Sequence, residues 1–313
     1  MNRLATWIGT WATDILAGWN RFWFSETQPH TLALIRILAG SMLFYTHAVW
    51  TLDLMAFLGP DGWLPNELAR NMHGESAAWS YLWYFESPVV LGVLHLVALI
   101  IFLMLTVGFF TRITSVLAWL ITLAYCHRLT GAFFGLDQVN AMLAMYVMVG
   151  PSGAVYSVDR WLSQRRAGQG GKPKRTEVAS SISAHVASRL IQVHMCVIYL
   201  CGGISKLRGE LWWDGSAVWY AIANLEYQSL DMTWLVHSRW LIALLSHVTV
   251  LWETFYCALV WPKRTRPIVL LIAVGIHGGI GLFLGMWTFG LAMLIANLAF
   301  ISPEATRGFV TGV

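Results

Sequence analysis

Four ionisable side chains stand in stretches that are otherwise apolar. Arg36 lies in Leu34-Ile35-Arg36-Ile37, and Lys206 ends the run Tyr199-Leu200-Cys201-Gly202-Gly203-Ile204-Ser205-Lys206. Glu253 lies within Val250-Leu251-Trp252-Glu253-Thr254-Phe255, and His277 precedes Gly278-Gly279. An ionised group at membrane depth costs about 2.5–3.5 kcal/mol, so such residues are candidates for chemistry. Gln192, Tyr199 and Lys206 recur in steps of seven and share one helix face. A lysine at a helix end commonly snorkels to the interface. Here a polar stripe leads into it, and Gly202-Gly203 lets a flat ligand or another backbone come close, which suits an amine that serves as a base. Arg36 continues through Gly40 and Leu43 to His47 along one face. It is either a structural arginine held by carbonyls or a carboxylate, or a functional cation, and it is one candidate counter-ion for Glu253. The remaining histidines include His95, His127, His194 and His247; no pair has the H-E-x-x-H spacing of a metal site, and none of the sequence is a Gly-rich phosphate loop or a nucleophile elbow. No metal is expected.

The elements that must position these residues follow from composition. Of 313 residues, 57% are hydrophobic and only 12% charged, against about 25% charged in soluble domains. Mean hydropathy is +0.60. Twenty basic and sixteen acidic residues are too few to cover a soluble globule of this size, which argues against a soluble enzyme, a disordered chain and a nucleic-acid-binding protein. Eighteen tryptophans suit a protein with crowded membrane interfaces. The expected fold is an all-α, polytopic membrane bundle.

Apolar windows give eight candidate spans, at 32–51, 88–110, 112–132, 136–150, 183–206, 238–261, 267–285 and 287–301. Residues 1–29, with Trp7, Trp11, Trp19 and Trp23, suit a helix lying in the interface. With both termini in the cytoplasm, fourteen of the twenty basic residues fall inside, six of them between Arg160 and Arg175 in the loop 159–180. The loop 52–87 falls outside, with Asp53, Asp61, Glu67, Glu75 and Glu86 against Arg70 alone. The transmembrane domain then covers 30–302, followed by a cytoplasmic tail at 303–313. Lys206 falls on the extracytoplasmic side.

These residues also carry a family resemblance. The Gly202-Gly203-Ile204-Ser205-Lys206-Leu207 ending and the Trp212-Trp213-Asp214-Gly215 turn resemble the horizontally transferred transmembrane (HTTM) domain, the membrane part of vitamin K-dependent γ-glutamyl carboxylases and bacterial relatives. Leu34-Ile35-Arg36-Ile37, Gly108-Phe109-Phe110-Thr111-Arg112 and Val155-Tyr156-Ser157-Val158-Asp159 match in order, as do His247, Glu253 and His277. The resemblance covers residues 30–300. It departs at Ser205, where the carboxylases tend to have a second lysine, and at Asp137-Gln138, which replaces an Asn-His pair. The carboxylases also continue into a large extracytoplasmic domain, whereas this sequence stops at Val313.

The resemblance implies that Lys206 is the base for a reduced vitamin K or menaquinol, with O2 and CO2 as co-substrates, and that His277 is a hydrogen-bond partner of the quinone or of an oxyanion. Tyr199, Gly202 and Gly203, with Arg36, His247 and Glu253 as buried polar support, would complete the cofactor site. The expected partners are the bilayer, a lipid quinone and a peptidic or small carboxylate substrate, in the cytoplasmic membrane if the source is bacterial. Two other classes fit the same residues: a non-catalytic component for maturation or export of a secreted peptide, and a transporter. Inverted repeats would favour the transporter, and the hydropathy order contains none.

Overall fold

The structure is a computed structural model that describes residues 2–74, 76–167 and 178–312. Its α-helices are α1 (Asn2–Phe24), α2 (His30–Trp50), α3 (Leu54–Leu58), α4 (Asn66–His73), α5 (Pro88–Val107), α6 (Thr111–Arg128), α7 (Gly135–Val149) and α8 (Val158–Ala167). There follow α9 (Ile182–Leu207), α10 (Glu210–Trp213), α11 (Ala217–Ile222), α12 (Arg239–Leu259), α13 (Arg266–Leu284), α14 (Trp287–Asn297) and α15 (Pro303–Thr311). Among the described residues the β pairing is confined to an isolated bridge between Thr27 and Ser181. The expected all-α class holds. Lys172, Lys174 and Arg175 of the basic loop, and Glu75 of the acidic one, lie outside the described residues.

The chain divides into two compact units. The first comprises residues 1–132, 141–190 and 301–313. Helix α2 packs on α5, and the contact is close because Gly40 has no side chain: a Cβ there would meet Thr106 Oγ1 at 2.8 Å. Leu32, Ile35, Ala39 and Leu43 of α2 and Leu91, Ala98, Phe102 and Leu105 of α5 are buried. Helix α15 returns to the start of α2, where the Thr31 hydroxyl lies 3.0 Å from that of Thr306.

The second unit comprises residues 133–140 and 191–300. Helix α13 packs on α14 through small residues. A Cβ on Gly290 would lie 2.5 Å from the His277 carbonyl oxygen, and one on Gly281 would lie 2.8 Å from the Trp287 ring. Gly278 and Gly279 meet no neighbouring helix that closely.

Among the described residues five helical segments are long and apolar enough to cross a membrane: His30–Leu58, Pro88–Val107, Ile182–Leu207, Arg239–Leu259 and Arg266–Leu284. Counting Trp287–Phe300 with Pro303–Thr311, bent by 116°, as one span makes six. Length and composition thus support five or six of the eight spans read from apolar windows. Helix α6 has the length, but Thr111, Arg112, Thr114, Ser115, Thr122 and Arg128 dilute its apolar content. Helices α7 and α14 have 15 and 11 residues. At 1.5 Å per residue both fall well short of a hydrocarbon core of about 30 Å.

The outward faces of the long helices are apolar. Val89, Val93, Leu96, Ile100 and Leu103 are exposed on α5, and Leu244, Leu251 and Phe255 on α12. In water such faces would be an association liability, and lipid is the solvent that suits them. On α1, Trp7, Trp11 and Trp19 are exposed.

Candidate functional site

The polar stripe of α9 is satisfied residue by residue within the second unit. Gln192 Nε2 donates to the Ala299 carbonyl at 2.6 Å. The Tyr199 hydroxyl is 2.7 Å from His277 Nε2 on α13. Lys206 Nζ donates to Glu253 Oε2 on α12 at 2.6 Å. The steps of seven thus bring one face of α9 to three partners in turn. Lys206 is more than a snorkelling end group, because its ammonium turns to a carboxylate that is only 13% exposed, while its own side chain is 26% exposed. The Trp212 ring lies 5.4 Å from Nζ and covers it from the following turn.

The two glycines before Lys206 do different work. A Cβ on Gly203 would meet the Thr254 backbone nitrogen at 2.6 Å, so this glycine sets the approach of α9 to α12. A Cβ on Gly202 would stand 3.1 Å from Glu253 Oε2 and 3.7 Å from Lys206 Nζ. Gly202 therefore leaves bare backbone beside both charged groups.

Behind the pair, Tyr199 joins a buried hydrogen-bonded chain. The Tyr256 hydroxyl donates to Asn297 Oδ1 at 2.6 Å, and Asn297 Nδ2 donates to the Tyr199 hydroxyl at 2.8 Å. Tyr199, Tyr256, His277 and Asn297 are each at most 5% exposed. The Trp252 and Phe289 rings flank the imidazole, with centroids 6.4 and 6.1 Å away. Trp252 is itself pinned by its Nε1–H to the Val269 carbonyl at 3.0 Å. His277 Nδ1 is buried and has no hydrogen-bond partner among the described residues. Asn297 and Tyr256 do not stand out in the sequence, since neither carries a charge at neutral pH. An Asn in the apolar run Ala292–Phe300 was the signal that could have found them.

Two expected site residues stand elsewhere. His247 Nε2 donates to the Trp213 carbonyl at 3.1 Å, and its Cε1 is 3.3 Å from where a Gly215 Cβ would sit. It pins the Trp212–Gly215 turn, and thereby the tryptophan over Lys206. Arg36 belongs to the first unit, where it is fully buried and Nη2 donates to the Tyr156 carbonyl at 2.6 Å. The counter-ion of Glu253 is Lys206, so the pairing of Glu253 with Arg36 considered from sequence is corrected.

The first unit nevertheless joins three of the sequence strings into one clasp. Helix α5 ends at Gly108, at φ +73°, and a side chain there would run into Arg36 and Ser157. Helix α6 begins three residues later, at Thr111, and Asp159 accepts from Phe110 N at 2.9 Å and from Thr111 N and Oγ1 at 2.7 Å each. Its carboxylate caps the exposed N–H groups of the helix start. Burial pushes the Asp159 carboxyl up, but the Thr111 hydroxyl, the two backbone N–H groups and the Arg36 charge outweigh it and hold it below the ordinary value of 3.8.

Compared with known proteins, the chain is 23% identical over 221 residues to YitO of Bacillus subtilis (strain 168), a protein described as uncharacterized; the match covers 69% of this chain and 68% of that one. No family model matches the chain, and no solved structure does.

Proposed function

We propose that this chain is an integral-membrane acid–base catalyst of the γ-glutamyl carboxylase-like class. In this reading it has eight spans with both termini in the cytoplasm, and its site opens to the extracytoplasmic side. The observation that carries the reading is the Lys206–Glu253 pair bordered by Gly202. The donor set suits a flat ring bearing oxygens: Lys206 and Gly202 offer one edge, and the unpartnered His277 Nδ1 a second polar contact. A reduced vitamin K or menaquinol bound there, with O2 and CO2, would supply the oxygen chemistry and the strong base needed to deprotonate a carboxylate substrate.

The chain's own residues do the proton work. Lys206 passes a proton to Glu253 across their 2.6 Å hydrogen bond, which frees its amine to take one from an acidic hydroxyl. Trp212 shields the amine from one side. Gly203 keeps α9 and α12 close enough for the transfer. The test is quinone epoxide formation by membranes carrying the chain, compared with membranes lacking it. Epoxide dependent on the chain is expected. No epoxide, together with a partner protein that copurifies in detergent, favours the maturation-or-export reading instead.

A further inference from the structure

The buried chain on α9, α12, α13 and α14 has a direction that can be worked out atom by atom. A backbone carbonyl can only accept, and Asn297 has one amide atom 2.8 Å from the Met293 carbonyl. That atom must be Nδ2, which fixes the amide and leaves Oδ1 to accept from the Tyr256 hydroxyl. Nδ2 also donates to the Tyr199 oxygen. Tyr199 has a single proton, and the acceptor within reach of it is His277 Nε2 at 2.7 Å. If Nε2 carried a hydrogen instead, the Tyr199 proton would have no acceptor among the described residues in a site where that residue is 2% exposed, and Nδ1 would be left as a bare acceptor as well. With the hydrogen on Nδ1, a single buried group lacks a partner. Each stranded polar group costs about 1–3 kcal/mol, so the second arrangement is favoured.

We infer that His277 is held in its neutral Nδ1–H form, that Asn297 is the positioning residue that sets this through Tyr199, and that the buried Nδ1–H is a binding point for an acceptor oxygen of a ligand, of the carbonyl or phenolate class. In this form the Nδ1 edge of His277 is a donor and cannot take a proton from a ligand, while Nε2 is occupied by the Tyr199 hydroxyl. That assignment leaves proton removal to the Lys206–Glu253 pair. The choice of tautomer stands on the hydrogen bonds alone, and the ligand half rests on the proposed function.

The test is NMR of the protein in lipid nanodiscs with ring-15N histidine, the His277 signals being identified by subtraction of the His277→Phe spectrum. Protonated and bare ring nitrogens are directly distinguishable. The expected result is a protonated Nδ1 and a bare Nε2 in the parent protein, with the balance moving toward Nε2–H in Asn297→Asp, whose oxygens offer the Tyr199 proton another acceptor. Tyr199→Phe removes the same lock with a smaller change and is expected to release the preference too. Menadione, added as a probe with two carbonyl oxygens, is expected to shift the Nδ1 resonance. A protonated Nε2 in the parent overturns the inference, and so does a preference that survives in both variants. An Nδ1 resonance unmoved by menadione overturns the ligand half. Absent epoxide formation with the Nδ1–H form intact counts against the proposed function alone.

Discussion

Lys206 and Glu253 are 47 residues apart in sequence and share a 2.6 Å hydrogen bond between α9 and α12. The bond is more than a surface ion pair, because Glu253 is 13% exposed and the helices on which both groups sit are held together at Gly203. Removing one partner strands the other in a poorly hydrated place. In a double-mutant cycle of Lys206→Met and Glu253→Gln, read by unfolding in detergent, a coupling of about 1–3 kcal/mol is expected. Additive losses would show that the two groups do not depend on each other.

The neighbouring glycines should separate fold from chemistry. Gly203→Ala brings a methyl to 2.6 Å from the Thr254 backbone nitrogen, which cannot yield without moving α12. A loss of about 1–3 kcal/mol in stability is expected. Gly202→Ala meets the far end of the Glu253 side chain at 3.1 Å, which can turn aside. It should leave the unfolding temperature nearly unchanged while lowering any activity that depends on the Lys206–Glu253 pair. Equal thermal losses in both variants would contradict this division of roles.

The Asp159 clasp gives a pH dependence. Its folded carboxyl lies below the ordinary 3.8, so the stabilisation is fully present above that value and is lost as pH falls through the lower folded value. Asp159→Ala should therefore cost about 1–2 kcal/mol at neutral pH, as loss of a helix cap does. The difference from the parent should shrink on acidification below 3.8. A difference that stays constant with pH would mean that the carboxylate charge is not what caps α6.

The sequence made the helices legible, because long apolar runs fix α2, α5, α9, α12 and α13 to within a few residues. The number of spans was less legible, because an apolar window does not register helix length: α7 and α14 are apolar in composition but have 15 and 11 residues. Lys206, Glu253, Tyr199 and His277 were visible as polar groups out of place, and the steps of seven along α9 predicted a shared face. What pairs with what was not visible, since the partner of each residue depends on how helices pack. Arg36 thus reads in the sequence as one candidate counter-ion for Glu253 or as a structural arginine, and its contacts are the Tyr156 carbonyl and the Gly108 turn. Asn297 stayed hidden for a different reason. A neutral amide raises no alarm in a charge count, although it orders the whole buried chain.

Removal of the Lys206 amine tests the account most directly. Membranes carrying the parent chain or Lys206→Met would be supplied with menaquinol and O2, and quinone epoxide measured by mass spectrometry. The account predicts epoxide from the parent and at least about 100-fold less from the variant, the loss that goes with removing a general base. Epoxide formed by Lys206→Met at the parent's rate would contradict it.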